Sequence, residues 1–154
     1  MTTPVRLAAG EALAQFKTCN KLPQILARAE AEAHGADEGL LLNTAGEVAE
    51  AASSNLFWVQ NGTVCTPALA SGILAGVTRA IVLELCHQLG LPAREVGIRP
   101  KELAQAEGVF LSLSSLGVVE AVALDGHSLR QSPLVPRIRA AYHERITRET
   151  GEAG

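Results

Sequence analysis

Lys17, Glu50, the step Gly76-Val77-Thr78 and the serine pair Ser114-Ser115 are the residues of this sequence with the most chemical reach. Lys17 carries an amine that becomes a nucleophile when partly desolvated. Glu50 offers a carboxylate, and on its own it reads as the end of a short strand. Ser71-Gly72-Ile73-Leu74-Ala75-Gly76 is a glycine-bearing loop that leads into a helix, so its junction can present free backbone N–H groups to an anion. Thr78 adds a hydroxyl there. A lone surface lysine or a plain helix start carries little information, so the weight lies in whether the fold brings these groups together.

The elements that must position them follow from periodicity. Leu22, Ile25, Leu26, Ala29 and Ala33 recur at helical spacing, and Gly35 supplies a stop, predicting an amphipathic helix over 20–32 with Lys17 just before it at a strand-to-helix corner. Short strands are expected over 39–42, 47–50, 55–59 and 63–66, joined by turn-forming residues into an antiparallel meander. A helix follows over 77–89, closed by Gly90, then a strand over 95–98, a short helix opened by Pro100, and a strand over 109–113. Asp125-Gly126 marks a hairpin, and Ser132-Pro133 opens a final helix to about Thr147. The expected fold is a mixed α/β (α+β) domain around a curved sheet.

Composition narrows the function classes. With 154 residues, 47% hydrophobic and 19% charged, the chain can bury one core without cross-links. The three cysteines, Cys19, Cys65 and Cys86, form no C-x-x-C pair and read as reduced thiols of a cytoplasmic protein. His34, His87, His127 and His143 are scattered, so no metal site is expected. No run of 18 apolar residues suggests a membrane span, and the N-terminus lacks an export signal. Net charge is −3, and Arg137, Arg139, Arg145 and Arg148 read as a solvated helix face rather than a nucleic-acid patch.

Four segments in order, Lys17-Thr18-Cys19-Asn20-Lys21-Leu22, Glu50 with Asn55-Leu56-Phe57-Trp58, Thr66-Pro67, and Gly72-Ile73-Leu74-Ala75-Gly76-Val77-Thr78-Arg79, resemble the pattern of the class IV aminotransferases. The resemblance runs from Lys17 to about Val122. It implies pyridoxal 5'-phosphate as cofactor, held by Lys17, and a large C-terminal domain like that of D-amino-acid aminotransferase, with a pseudo-barrel sheet and flanking helices. It further implies that Glu50 faces the ring nitrogen, that Leu74 packs on the ring, and that Gly76, Val77 and Thr78 hold the phosphate. Phe110-Leu111-Ser112-Leu113-Ser114-Ser115-Leu116-Gly117-Val118 resembles the family's second phosphate-contact segment, in which Ser114, with Ser115 as the alternative, would add a second phosphate contact. Arg79 is expected to brace the structure.

Within the family, K-T-x-N-[KR]-L, the N-L-F-W tetrad and the serine-rich segment near Ser114 look like 4-amino-4-deoxychorismate lyase, which eliminates pyruvate to give 4-aminobenzoate for folate synthesis. Branched-chain and D-amino-acid transaminases are the alternatives, and a catalytically silent fragment acting through protein contacts is another. Relatives place a smaller domain before the lysine, so residues 1–16 are expected to be a linker or its remnant, 17–148 the cofactor domain and 149–154 a fraying tail. The same likeness implies a homodimer acting on a small-molecule substrate.

Overall fold

The computed structural model describes residues 1–151. Its first unit is β1 (Thr2–Leu7), a 3-10 turn (Ala12–Gln15), α1 (Leu22–Ala33) and β2 (Leu40–Asn43), with β1 and β2 parallel. Parallel strands need such a crossover connection. The first residues are therefore hydrogen-bonded into the sheet rather than trailing before it: Thr3 and Leu7 point inward at 2% and 8% exposure. β3 (Val48–Ala51) returns antiparallel to β2. Asn43 holds the turn between them, its Oδ1 accepting the N–H groups of Ala45 and Glu47, both at 3.0 Å.

Where the sequence suggested one continuous meander, the chain changes sheet after β3. β4 (Asn55–Gln60) and β5 (Thr63–Thr66) form a hairpin in a second, five-stranded sheet. Its turn, Asn61-Gly62, has φ of 50° and 68°, the left-handed pair that such a two-residue hairpin requires. After α2 (Val77–Gln88) the chain adds β6 (Ala93–Glu95) parallel to β5, and after α3 (Pro100–Leu103) it adds β7 (Gly108–Leu113) beside β4, with β8 (Gly117–Ala121) outermost. The strand order is β6-β5-β4-β7-β8. A small ribbon, β9 (Ala123–Leu124) with β10 (His127–Ser128), turns at Asp125-Gly126, and α4 (Leu134–Thr150) closes the chain. Residues 149–150 thus end a helix and Gly151 caps it, while 152–154 of the expected tail lie outside the described residues.

Alternation explains the layers. On β4, Leu56 and Trp58 face β2 and β3 in a core shared by the two sheets, with Leu40, Leu42, Val48 and Val109. Phe57 faces the other way, stacked on Phe110 with ring centroids 4.9 Å apart and packed against α2 and α4 through Val82, Leu85, Val135 and Ile138. Leu41 and Ala49 turn from the first sheet toward α1. Both faces of β4 are buried, hence its near-continuous apolar run. Among the described residues no ladder joins the two sheets, so this curved mixed α/β arrangement is not a closed barrel.

α1 docks in an unexpected orientation. The sequence put Leu22, Ile25, Leu26, Ala29 and Ala33 on its buried face, but the fully buried positions are Ala27 and Ala31. Leu22, Ile25 and Leu26 are 60%, 61% and 53% exposed. Close approach decides the matter: a Cβ on Gly39 would lie 2.5 Å from the Ala27 carbonyl oxygen, and only small residues fit such a contact. No helix among the described residues is long and apolar enough to cross a membrane.

Candidate functional site

A cleft of about 960 Å³ opens between α1, the turn leaving β3, the loop before α2 and the end of β7. It gathers Lys17, Glu50, Leu74, Gly76, Val77, Thr78 and Ser114 in one place. Lys17 stands at its rim in the exposed stretch between the 3-10 turn and α1, not at the end of a strand as its sequence context suggested. That stretch is tied to the far side of the cleft by the Ala75 N–H, which donates to the Gln15 carbonyl at 3.3 Å.

Glu50 ends deep in the cleft, 5% exposed. Its carboxylate accepts the Leu74 N–H at 2.8 Å, the Asn55 side-chain amide at 3.4 Å and the Gln24 amide at 3.4 Å. Burial holds its pKa above the usual carboxylate value, against the pull of the Leu74 and Gln24 hydrogen bonds and the Lys21 charge. A buried carboxylate of this kind is completed by a cationic partner.

Leu74 is half-buried, and its loop is fixed at both ends. Ile73 is fully buried in the core beneath, and the Asn55 amide donates to the Leu74 carbonyl at 2.9 Å. Gly72 adopts φ of 83° and lies so close to the Ala8 carbonyl that no side chain fits. Gly76 is pressed against the Asn55 amide oxygen and begins α2, leaving the first backbone N–H groups of Val77 and Thr78 without helical partners. The Val77 side chain is exposed at the mouth of the cleft. Thr78 is 4% exposed and its hydroxyl lies 3.4 Å from that of Ser114. Ser115 also lines the cleft.

Arg79 is buried and turned away, bonded to the Pro67 carbonyl at 2.9 Å and to Glu95 at 2.6 Å, so it braces β5 and β6. The C-terminal arginines are likewise occupied: Arg145 pairs with Glu84 and Glu149, and Arg139 donates to the Val118 carbonyl. Glu38 clamps the turn beyond β3, where its carboxylate accepts the Ser53 N–H at 3.3 Å and the hydroxyls of Ser53 and Ser54.

Sequence pattern gives no role of their own to Gln24, Asn55 or Ser112, although Ser112 lies in the segment 110–118 that holds Ser114, and all three meet the cleft. Gln24 sits on α1, 26 positions before its partner Glu50, and no local pattern links them. Asn55 stands in the motif without a role of its own. Ser112 is 2% exposed, lines the cleft, and its hydroxyl has no partner within the protein.

The sequence model of the amino-transferase class IV family matches residues 1–124. A branched-chain-amino-acid aminotransferase of Escherichia coli is 34% identical over 134 residues, covering 85% of this chain and 43% of that enzyme. The branched-chain amino acid aminotransferase of Thermobaculum terrenum, solved in its PLP-bound holo form, superposes with a TM-score of 0.88 at 29% identity over 94% of this chain and 49% of its own. A candidate 4-amino-4-deoxychorismate lyase from Legionella pneumophila gives 0.84 and 31% over 94% of this chain and 57% of its own. The chain thus spans about half the length of the relatives it matches. On the family match and this shared identity, the chain belongs to the class IV aminotransferase family.

Proposed function

We propose that this chain is the cofactor-binding part of a pyridoxal-phosphate enzyme, and that its reaction is the elimination of pyruvate from 4-amino-4-deoxychorismate. The observation that carries the cofactor reading is the buried Glu50 carboxylate, held by amide donors and lining the same cleft as Lys17 and the start of α2. The residues fit the group. Glu50 would sit against the ring nitrogen, and the Thr78 and Ser114 hydroxyls, 3.4 Å apart, with the N–H groups of Val77 and Thr78, match the needs of a phosphate. When bound, the cofactor supplies an electron sink for the carbon next to the substrate nitrogen.

The chain's own groups do the rest. Lys17 would hold the cofactor and, once the substrate amine takes its place, remove the proton from the substrate ring carbon and return one to the departing enolpyruvyl group. The Glu50 carboxylate would keep the ring nitrogen protonated, and its buried setting keeps that ion pair strong. Leu74 would pack on the ring face, with its own N–H fixing Glu50. Residues 17–148 would act as the cofactor domain, as part of a homodimer.

Support for the lyase reaction comes from the K-T-C-N-K-L and N-L-F-W segments and from the likeness to the Legionella protein. Transamination is the second reading, favoured by the E. coli relative. Both use one lysine and one ring-nitrogen carboxylate, so the assay must separate them. Purified protein given aminodeoxychorismate alone should release pyruvate; turnover only when a 2-oxo acid is added would transfer the assignment to a transaminase.

A further inference from the structure

We propose that Ser112, two positions before the serine that the sequence pattern nominates, is a phosphate-arm ligand of the cofactor. The inference rests on the cofactor reading above and assigns one more group to it.

The placement follows from strand geometry. β4 and β7 are antiparallel, with Phe57 opposite Phe110 and Asn55 opposite Ser112. Side chains alternate along a strand, so Asn55 and Ser112 lie on the same face as the stacked phenylalanine pair, which is the face covered by α2. One rung of the ladder is apolar and packed; the next, nearer the start of α2, is polar. Ser114 continues that face into the turn after β7, where its hydroxyl meets that of Thr78 at 3.4 Å.

Asn55 on that polar rung is fully used, donating to Glu50 and to the Leu74 carbonyl. Ser112 is not. The residue is 2% exposed and lines the cleft beside the N-terminus of α2, and its hydroxyl is buried without a protein partner. A buried hydroxyl with no partner is destabilising, and alanine would remove that cost without leaving a large void. A donor held this way beside Thr78, Ser114 and free helix N–H groups suits an anion with several oxygens, which is a phosphate monoester.

The test measures two quantities that move in opposite directions. Ser112→Ala should leave the urea midpoint of the cofactor-free protein unchanged or higher. It should raise the Kd for pyridoxal 5'-phosphate, followed by absorbance, by roughly 10-fold, the loss of one hydrogen bond to a charged group. Pyridoxal, which lacks the phosphate, should bind wild type and variant alike, and inorganic phosphate should raise the midpoint of wild type more than that of the variant. A lower midpoint for the cofactor-free variant would make Ser112 a structural residue and overturn the proposal. So would an unchanged Kd for pyridoxal 5'-phosphate, or an equal loss of pyridoxal, which would move the contact to the ring. If wild type bound neither pyridoxal 5'-phosphate nor phosphate, the cofactor reading itself would fall, and this inference with it.

Discussion

Replacing Glu50 by glutamine should strengthen the empty protein and weaken its hold on cofactor. One glutamine oxygen can keep both the Leu74 N–H and the Asn55 amide as donors, since both now reach the same Glu50 oxygen. The new NH2 then faces the Gln24 amide, which has an unpaired buried oxygen and can turn to accept it. The variant therefore exchanges a buried charge for a neutral amide with no hydrogen bond lost, and should gain about 1 kcal/mol at neutral pH. The sign with pH follows from the raised Glu50 pKa. The wild-type carboxyl is neutral in both states below its ordinary value of 4.5, so the advantage of glutamine is smallest there. It grows as pH rises from that value through the raised folded one, then levels off. Cofactor affinity should move the other way, losing about 1.5–3 kcal/mol, or roughly 10- to 150-fold in Kd, because the ring nitrogen loses its charged partner. Urea unfolding of both proteins between pH 4.5 and 8, with a spectroscopic cofactor titration, measures both terms. A less stable Glu50→Gln at pH 7, or a stability difference that ignores pH, would show that Glu50 is not a buried charge awaiting a partner.

Gly39→Ala should shift α1 outward, because the added methyl would sit 2.5 Å from the Ala27 carbonyl oxygen. Such overpacking costs about 1–3 kcal/mol, lowering Tm by roughly 2–10 °C, and displacing the helix that follows Lys17 should also weaken cofactor binding; an unchanged Tm would mean that the docking is looser than described. Thiol titration should find one fast cysteine in the native protein, the exposed Cys19, since Cys65 and Cys86 are buried and burial pushes the Cys86 thiol up to about 11. A second fast thiol would show that the core around Cys65 or around Cys86 opens readily.

Local signals carried much of this fold. Asn61-Gly62 and Asp125-Gly126 sit at left-handed turns because their side chains tolerate that backbone, and Gly35 and Gly90 end helices near the expected places. What the sequence hid depends on distance. Whether β3 and β4 share a sheet is decided by partners far along the chain, since β4 pairs with β7. β1 escapes sequence pattern because Pro4 interrupts it, and only its pairing with β2 makes it a strand. The outward leucines of α1 mislead periodicity, because Gly39 and the sheet beneath admit only alanine.

The site was legible to different degrees at different residues. Lys17, Glu50, Leu74, Gly76, Val77, Thr78 and Ser114 lie in motif segments, and the fold brings them to one cleft. Gln24 is an ordinary residue in sequence, and Ser112 shares a motif segment with Ser114 without being singled out; the interest of both comes from burial and from what their polar atoms do or lack. Motif order can nominate a lysine, whereas the groups that tune its surroundings appear only once α1, β4 and β7 meet.

The proposed function depends above all on Lys17 holding pyridoxal 5'-phosphate. Incubating the protein with the cofactor, reducing with borohydride and locating the modified peptide by mass spectrometry examines that bond itself. A phosphopyridoxyl group should be found on Lys17, with the visible band absent in Lys17→Ala. Stable modification at another lysine, or none in the wild-type protein, would mean that Lys17 does not hold the cofactor.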